Sequence, residues 1–495
     1  MVNEDYIPNP STRPLRVAIV GAGISGLAAA WQIRQLRSDT ELAIFESRTE
    51  AGGVLGTVRE EGFQVERSAD NFITTLPWGI QLCRDLGLAD QLVTTNPDHR
   101  RVFVVWRGRL HPLPDGFLMM APTRLWPLAT TRLLSPLGKL RAGLEYFIPP
   151  RRDNHDESLA QFARRRLGRE AYERLVEPLV SAVYGADMER LSLLATLSRF
   201  RDMEQRYGSL IRAMREQMAQ RRRAGGPARG HAKESGARYS MFVTLQHGLQ
   251  SLIDRLVQSL PVDVVRCGSG VSAVHRENDR WVVKLNDGGQ FLCDGVVLAV
   301  PAYAAAPILR DLDAPLADEL AAITYTGSVI LALAYRREDV EHSLNGSGCV
   351  VPSVERNPLL AVSFSSQKYP HLAPVDCVLL RVFAGGARRP DLVSMEDDQL
   401  IRLLTGEVAK LLKIRGQPLR HWLFRWTRAM PQYEVGHGDR LRRITARLDA
   451  WPGLALAGNA YRGVGIPHCI RSGQEAAARA LGLPVQDQQT TSSAF

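Results

Sequence analysis

Closely spaced cysteine pairs are missing from this chain. Its six cysteines are scattered, and no two of them stand in the CxxC spacing of a zinc site or a dithiol redox motif. They are Cys83, Cys267, Cys293, Cys349, Cys377 and Cys469. We therefore expect reduced thiols and no bound metal.

Long apolar runs are also missing. The most apolar stretch, residues 295–309, is too short to span a membrane and contains two prolines. The first fifteen residues are polar and contain proline, which is unlike a secretory signal. Both absences predict a cytoplasmic protein, with peripheral contact at the inner face of the membrane as an open alternative.

Lysine is scarce as well: only six of the 62 basic residues are lysines, although the net charge is +10. Two interpretations of this charge stay open, a solvated surface and the steering of anionic ligands. No basic run is interleaved with aromatic residues, so we expect no binding of nucleic acid. The densest basic run, residues 220–238, contains glycine and proline and is predicted to be a flexible loop.

A glycine-rich motif near the N terminus is typical of dinucleotide binding. An apolar strand, residues 17–20, runs into the sequence GAGISG and then into an alanine-rich helix. In such a motif Gly21 permits the tight turn, Gly23 lets the backbone approach a pyrophosphate, and Gly26 allows close packing of helix on strand. The next strand ends at Glu46, where a carboxylate binds ribose hydroxyls and repels the 2′-phosphate of NADP. The motif alone does not distinguish NAD from FAD.

A second glycine-rich segment lies near the other end of the chain. The sequence AGNAYRGVGIPHCIRSG, residues 457–473, holds four glycines. The apolar periodicity that follows predicts a helix over residues 470–481. Because helix N-termini attract anions, this turn and helix predict a second ligand-binding segment.

The glycine turn after Glu46, ESRTEAGGVLGTV, resembles the FAD-containing amine oxidase and protoporphyrinogen oxidase superfamily. Residues 156–211, 364–370, 379–386 and 458–477 resemble, more narrowly, the oxygen-dependent protoporphyrinogen oxidase and coproporphyrinogen III oxidase family. The resemblance implies an α/β fold, with a Rossmann-like FAD-binding domain of the GR2/amine-oxidase type, an α+β substrate domain and a helical subdomain.

The predicted domains alternate along the chain. Their ranges are 14–75, 239–305 and 441–485 for the FAD-binding domain, 76–110 and 306–440 for the substrate domain, 111–219 for the helical subdomain, and 220–238 for the loop. Within the helical subdomain, prolines are predicted to divide residues 117–150 into short helices. These helices are either ordinary core or a membrane-facing or substrate-entry surface.

The resemblance implies noncovalent FAD and the six-electron oxidation of a porphyrinogen to a porphyrin in haem biosynthesis, with O₂ as acceptor and hydrogen peroxide as product. Protoporphyrinogen IX is slightly favoured as the substrate, with coproporphyrinogen III oxidised as well. The alternatives are an amine oxidase or a carotenoid desaturase of the same fold, or a noncatalytic flavoprotein that binds tetrapyrroles. Ferrochelatase is a candidate partner, and both a monomer and a homodimer are open.

The motif and the resemblance together assign a set of residues to FAD. They are Gly21, Ala22, Gly23, Ile24, Ser25, Gly26, Glu46, Ser47, Arg48, Gly53, Val54, Ser68, Ala69, Asp70, Asn71, Val271, Trp426, Gly458, Asn459, Val464, Gly465 and Ile466. The resemblance implies that Val271 lies on the adenine side of FAD and that Trp426 lies beside the flavin. For both residues, a role in the hydrophobic core is the alternative.

The resemblance assigns Phe383, Asp70 and Arg101 to catalysis and substrate binding. Phe383 aligns with an aromatic residue that packs on the macrocycle, or it is a core residue. Asp70 follows a segment in which this chain departs from the Glu-x-Gly-Pro of relatives, and plant relatives carry Asn at its position. Its carboxylate either accepts pyrrole N–H bonds or the departing proton, or caps a turn. Arg101 stands beside Val102, where an ungapped alignment places an arginine that pairs with a propionate.

Overall fold

The computed structural model describes residues 13–223 and 242–484. The first four residues of the predicted loop, 220–223, are the end of a helix that begins at residue 210. The rest of the predicted loop lies outside the described residues.

The strands of the described residues fall into two large sheets and several smaller ones. They are β1 (Arg16–Val20), β2 (Glu41–Phe45), β3 (Thr57–Glu60), β4 (Phe63–Glu66), β5 (Phe72–Ile73), β6 (Leu92–Thr94), β7 (Val102–Trp106), β8 (Arg109–Pro112), β9 (Phe117–Leu118), β10 (Ala121–Pro122), β11 (Phe242–Leu245), β12 (Val265–Arg266), β13 (Val271–Glu277), β14 (Arg280–Leu285), β15 (Gln290–Cys293), β16 (Gly295–Leu298), β17 (Tyr325–Arg336), β18 (Gly348–Val350), β19 (Leu359–Phe364), β20 (Cys377–Gly385), β21 (Arg420–Pro431) and β22 (Leu454–Leu456).

The α-helices pack on these sheets or on one another. They are α1 (Ile24–Leu36), α2 (Pro77–Asp85), α3 (Leu125–Thr130), α4 (Pro136–Gly143), α5 (Leu159–Leu167), α6 (Arg169–Ala171), α7 (Glu177–Tyr184), α8 (Leu193–Tyr207), α9 (Leu210–Arg223), α10 (Gln250–Gln258), α11 (Ala302–Leu309), α12 (Ala314–Ala321), α13 (Ser365–Lys368), α14 (Asp391–Ser394), α15 (Asp397–Leu412), α16 (His437–Leu448) and α17 (Ile466–Ala480).

A five-stranded parallel sheet forms the centre of the first domain, in the order β12-β2-β1-β16-β22. Side chains alternate across it, so that Ile19 and Ile44 pack under α1, α2, α10 and α17. Ala18 and Phe45 face the opposite layer, which consists of the antiparallel sheet β13–β15 and helices α11, α12 and α16. This three-layer arrangement is the predicted Rossmann-like domain.

A seven-stranded mixed sheet forms the second domain, in the order β21-β17-β20-β19-β18-β7-β8. Helix α15 covers one face through Leu400, Leu404 and Val408. Helices of the range 159–214 cover part of the other face, where Val104 and Phe383 meet the helical core. The predicted α+β architecture is therefore present, with the helical subdomain against it, and the assignment of this domain to substrate stays a prediction.

Buried ion pairs lie within the helical subdomain. Arg166 and Glu145 are both fully buried, and Arg166 Nε donates to Glu145 Oε1 at 2.9 Å. Arg201 Nη1 lies 3.0 Å from Glu204 Oε2 in the same region. Because each buried charge has a partner of opposite sign, removing one member of a pair would leave the other unpaired.

Two details differ from the prediction. The last helix, α17, begins at Ile466 and not at residue 470, because Pro467 fits the first turn of a helix, where no N–H partner is needed. The predicted range 76–110 divides between domains: α2 packs in the core of the parallel sheet, whereas β7 and β8 belong to the seven-stranded sheet. No helix of the described residues combines the length and apolarity needed to cross a membrane.

Candidate functional site

The first glycine loop is closed by packing at both ends and open in its middle. Gly21 has φ +100°, and a Cβ on it would lie 2.7 Å from the Ala299 carbonyl oxygen. A Cβ on Gly26 would overlap the Gly21 carbonyl oxygen. A Cβ on Gly23, in contrast, would meet no atom within 4 Å. The backbone at Gly23 therefore faces free space, as close approach by a ligand requires.

Helices α1 and α17 both begin without a side-chain cap. Gly23 and Gly465 are their N-cap residues, and neither helix has a side-chain cap hydrogen bond. The two helices cross closely, because a Cβ on Gly473 would overlap the Ser25 carbonyl oxygen. The free N–H groups and the positive ends of the helix dipoles at these two termini suit a phosphate and an electron-rich ring.

Glu46 is held at the end of β2 by backbone groups. It is 7% exposed, its Oε2 accepts from Ala22 N at 2.8 Å, and its Oε1 accepts from Arg48 N at 2.9 Å. The second glycine turn lies against the first, since Gly52 N donates to Ala22 O at 2.9 Å. The two motifs that the sequence analysis assigned to one ligand are thus in direct contact.

Segment 268–271 runs beside the same strand end. Gly268 N donates to Arg48 O at 2.7 Å, and Ser269 N donates to Glu46 O at 2.8 Å. Val271 is half-buried at the start of β13, and the pairing of β13 with β14 is irregular there. This placement brings the start of β13, with Val271, near Glu46.

Trp426 joins β21 to two of these segments. Its Nε1 donates to Arg67 O at 2.9 Å, and the Arg48 guanidinium carbon lies 5.7 Å from the centroid of its ring. Arg48 Nη1 in turn donates to Gly53 O at 2.8 Å. Trp426 therefore lies where the glycine turns meet the segment around residue 67.

Asp70 is the centre of a cluster of charges. Its Oδ2 lies 2.9 Å from Lys368 Nζ and 3.3 Å from Arg381 Nη1, and its Oδ1 accepts from Asn71 Nδ2 at 2.8 Å. Burial would raise the pKa of the Asp70 carboxyl, but the two cations outweigh burial and lower it below its ordinary value. The carboxylate is therefore ionised and paired with side chains.

Arg381 anchors the segment that carries Asp70. It is 1% exposed, and its Nη2 donates to the carbonyl oxygens of Glu66, at 3.1 Å, and Ser68. The buried Ser68 hydroxyl has no hydrogen-bond partner among the described residues. An unpartnered hydroxyl beside a fixed backbone is a group that a ligand could satisfy.

Glu66, Lys368 and Arg381 were not singled out from the sequence. Glu66 is 2% exposed, and burial raises its pKa to about 7 in spite of hydrogen bonds from Thr57 and Leu249. Two signals were available in the sequence: Arg381 interrupts the apolar strand CVLLRVFAG, and Lys368 is one of only six lysines.

Phe383 and Val464 pack against one large apolar cluster. Phe383 is half-buried on β20, on the same sheet face as Ala361, Val350 and Val104. Val464, which immediately precedes the N-cap of α17, packs against the same apolar cluster. A residue assigned to substrate thus shares a cluster with a residue assigned to the flavin.

Arg101 is not brought to this cluster. Side chains alternate along β7, and Val102 and Val104 belong to the Phe383 face while Phe103 and Val105 belong to the opposite face. Arg101 comes just before the strand and two residues before Phe103, so alternation places it on the same face as Phe103. It lines an open polar cleft of about 310 Å³ with Pro97, Asp98, Arg100 and Asn345.

The C-terminal loop has open space where a ligand is expected. A Cβ on Gly458 would meet no atom within 4 Å, and Gly458 N donates to Ser472 Oγ at 3.0 Å. Asn459 Nδ2 donates to Ala429 O at 3.2 Å. The space at Gly23 and Gly458, the two uncapped helices and the Ser68 hydroxyl together fit a dinucleotide with an attached ring.

The chain is similar to known proteins over almost its whole length. The chain is 33% identical to the coproporphyrinogen III oxidase of Bacillus subtilis (strain 168), over 94% of this chain and 97% of that protein. It is 32% identical to the chloroplastic protoporphyrinogen oxidase of Nicotiana tabacum, over 95% of this chain and 86% of that protein. A crystal structure from Exiguobacterium sp. 255-15, which carries the provisional name protoporphyrinogen oxidase, is 30% identical with a TM-score of 0.82, over 95% of this chain and 98% of that one.

The family comparison covers almost the whole described fold. Residues 24–481 match the family described as flavin containing amine oxidoreductase. This range begins at the first residue of α1 and ends just after α17, so that it includes both uncapped helices. The chain therefore belongs to the flavin-containing amine oxidoreductase family.

Proposed function

We propose that this protein is an FAD-dependent oxidase that converts a porphyrinogen to a porphyrin with O₂ as acceptor. The observation that carries the proposal is the contact of Phe383 and Val464 with one apolar cluster, next to the uncapped start of α17. An apolar wall of this kind suits a large macrocycle held against the edge of a flavin. The names of the relatives support the same substrate class.

The residues divide the work of binding and orientation. Gly23 and the start of α1 would hold the pyrophosphate, Glu46 the ribose, and the start of α17 the electron-rich side of the ring. Bound noncovalently, FAD would supply two-electron oxidation and return the electrons to O₂. In total the porphyrinogen loses six electrons and six hydrogens, and three O₂ become three hydrogen peroxide. The protein contributes mainly orientation of the macrocycle, for which Phe383 is the proposed contact.

The ion pairs of Asp70 limit what its carboxylate can do chemically. A carboxylate bound to Lys368 and Arg381 is a weak base, but it keeps lone pairs for further hydrogen bonds. We propose that Asp70 accepts pyrrole N–H bonds and does not receive the departing proton.

The choice between substrates is a matter for assay. Identity to a coproporphyrinogen III oxidase and to a protoporphyrinogen oxidase is nearly equal, 33% and 32%. The slight preference for protoporphyrinogen IX over coproporphyrinogen III stays a prediction. A ratio of kcat/KM that strongly favours the tetracarboxylate, and that fades with added salt, would contradict it.

We also propose peripheral contact of the short helices with a membrane surface. Six apolar residues of this region are 45% to 78% exposed: Leu125, Trp126, Leu137, Leu140, Leu144 and Phe147. Arg124 and Arg132 are exposed beside them, which suits anionic headgroups. Co-sedimentation with anionic vesicles should be lost in a Trp126→Ser, Phe147→Ser double variant that keeps full activity in detergent. Ferrochelatase as a partner and the choice between a monomer and a homodimer stay predictions.

The decisive test is aerobic assay of the purified yellow protein with both porphyrinogens. We expect porphyrin formation coupled to oxygen uptake and hydrogen peroxide release. Oxidation of amines or of carotenes, with no turnover of either porphyrinogen, would identify a different oxidase of this fold. Porphyrin binding with no oxygen uptake would identify a noncatalytic carrier.

A further inference from the structure

We propose that Tyr433 and His437 are positioning residues for FAD, because they hold the loop of residues 459–463 that leads into the uncapped start of α17. Neither residue belongs to the cofactor-binding set assigned above. The inference rests on the proposed function, in which FAD lies along Gly458–Ile466.

The Tyr433 hydroxyl bonds to both ends of this loop. Its oxygen accepts from Gly463 N at 2.8 Å, and its O–H donates to the carbonyl oxygen of Asn459. The side chain is 1% exposed, and burial raises the pKa of the phenol well above its ordinary value, so the donor proton is retained. The Tyr433 carbonyl oxygen accepts from Ser192 N at 2.7 Å, which ties the backbone of this residue to the helical subdomain.

His437 holds the middle of the loop. Its Nε2 lies 3.0 Å from the Tyr461 carbonyl oxygen, and its ring stacks on Tyr433 with centroids 4.3 Å apart and planes at 14°. A carbonyl oxygen only accepts, so Nε2 carries the proton. Burial, together with the Arg440 cation on the same helix, lowers the pKa of His437 below its ordinary value, although the bond to Tyr461 acts in the opposite direction. The ring is therefore neutral at neutral pH.

The loop needs this external support. Gly463 has φ +117°, and a Cβ on it would overlap the His468 ring. Glycine at this point makes the fold possible but increases the conformational freedom that must be lost on ordering. Two buried side chains, Tyr433 between β21 and α16 and His437 at the first residue of α16, supply three bonds to backbone groups of a five-residue loop. Because these bonds come immediately before Val464 and the N-terminus of α17, we infer that they help to position both.

The chain offers a matched control for Tyr433. Tyr335 is also fully buried, in β17, but its hydroxyl has no partner among the described residues. Tyr433→Phe removes the partner of the Gly463 N–H and of the Asn459 carbonyl, whereas Tyr335→Phe removes no partner of a described residue. Both substitutions delete the same atom, so that a difference between them reports the loop contacts.

The experiment measures retention of FAD by purified holoprotein on serial dilution. We expect Tyr433→Phe to raise the dissociation constant of FAD about 10-fold or more and to shift the visible absorption of the bound flavin, with Tyr335→Phe within twofold of the wild type. A dissociation constant of Tyr433→Phe within twofold of the wild type would overturn the inference. Wild-type protein that binds no FAD at all would instead overturn the proposed function, and the inference with it.

A second variant keeps the test informative should Tyr433→Phe fail to fold. His437→Gln can still donate to the Tyr461 carbonyl but cannot take up a proton. Arg440 lies on the same helix as His437 and acts on its pKa, Asp156 Oδ2 accepts from the neighbouring Gly436 N at 3.5 Å, and His437 N donates to the carbonyl oxygen of Glu434, whose carboxylate pairs with Arg190. We expect wild-type protein to release FAD more readily as the pH becomes acidic, because a buried imidazolium beside Arg440 is unfavourable, and His437→Gln to lose this sensitivity while it holds FAD at pH 7.5. Equal acid release from both proteins would contradict the role of His437.

Discussion

Lys368 Nζ lies 2.9 Å from Asp70 Oδ2, although the two residues are 298 positions apart in the chain. Both side chains are largely buried, at 11% and 14% exposure, and Arg381 lies 3.3 Å from the same oxygen. A buried charge that loses its partner is costly, whereas loss of both partners costs much less. This contact therefore couples the substitutions that can be made at the two positions.

The first prediction tests that coupling. Lys368→Met and Asp70→Asn should each lower the free energy of unfolding by about 2 kcal/mol, because each leaves a buried charge less well compensated. The double variant should be more stable than their sum, by more than about 1 kcal/mol. Urea unfolding of the four proteins measures the coupling.

Turnover measurements on the same four proteins test the coupling in a second way. The resemblance implies Asn at position 70 in plant relatives, so we expect Asp70→Asn to be tolerated in turnover, most clearly when Lys368 is replaced as well. Additive losses in kcat/KM for porphyrinogen would show that Lys368 acts independently of Asp70.

The second prediction concerns Glu66. Burial raises the pKa of its carboxyl to about 7, so the folded state keeps a proton that the unfolded chain, with a pKa near 4.5, has lost. The free energy of unfolding should therefore decrease as pH rises from about 4.5 to about 7, by up to about 3 kcal/mol. Glu66→Gln should remove this slope, and Glu50→Gln, at an exposed position, should not. Parallel curves for wild type and Glu66→Gln would rule out this titration.

The third prediction separates ligand approach from packing in the first glycine loop. A Cβ at position 23 meets no protein atom, so Gly23→Ala should change the free energy of unfolding of the apoprotein by no more than about 1 kcal/mol. It should nevertheless weaken FAD binding by about 10-fold, because the methyl group occupies the space of the pyrophosphate. Gly26→Ala, whose Cβ would overlap Gly21, should destabilise the fold by about 1–3 kcal/mol. Full flavin content in Gly23→Ala and in Gly23→Trp would remove the basis for this site.

The fourth prediction concerns the apolar wall. Phe383→Ala should lower kcat/KM for porphyrinogen by about 10-fold or more while FAD content is unchanged, because the half-buried ring faces the proposed substrate. Phe364→Ala is the control, since Phe364 is fully buried in the core under α15. That variant should mainly lose stability, by about 3–5 kcal/mol. Equal loss of flavin and activity in Phe383→Ala would return Phe383 to a purely structural role.

The fifth prediction tests the propionate assignment of Arg101. Alternation along β7 places its register on the face opposite to Phe383, so we expect Arg101→Ala to keep kcat/KM within about twofold of the wild type. A tenfold increase in KM for the tetracarboxylate substrate, with unchanged kcat, would restore the assignment.

The local parts of the FAD-binding domain could be predicted from the amino-acid sequence. The spacing of β1, the glycine motif, α1 and Glu46 is readable because each part depends on backbone conformation within a few residues, such as the positive φ of Gly21. Family membership and the α/β fold could be predicted because the motifs at the two ends of the chain are specific in type and order. Both predictions are confirmed. The start of α17 was placed four residues too late, since a proline in a first helical turn does not end the helix that contains it.

Contacts between distant residues depend on the three-dimensional fold and could not be predicted in this way. Neither the pairing of Asp70 with Lys368 and Arg381 nor the packing of Phe383 and Val464 against one cluster can be predicted from a short stretch of sequence. The order of strands in the seven-stranded sheet, and the face on which each side chain falls, bring these residues together or, for Arg101, keep them apart. The contact of Tyr433 with the loop after Gly458 is likewise not predictable from the sequence. A tyrosine in an apolar segment indicates only a core residue, and the role proposed for Tyr433 depends on the backbone groups that the fold places against its hydroxyl.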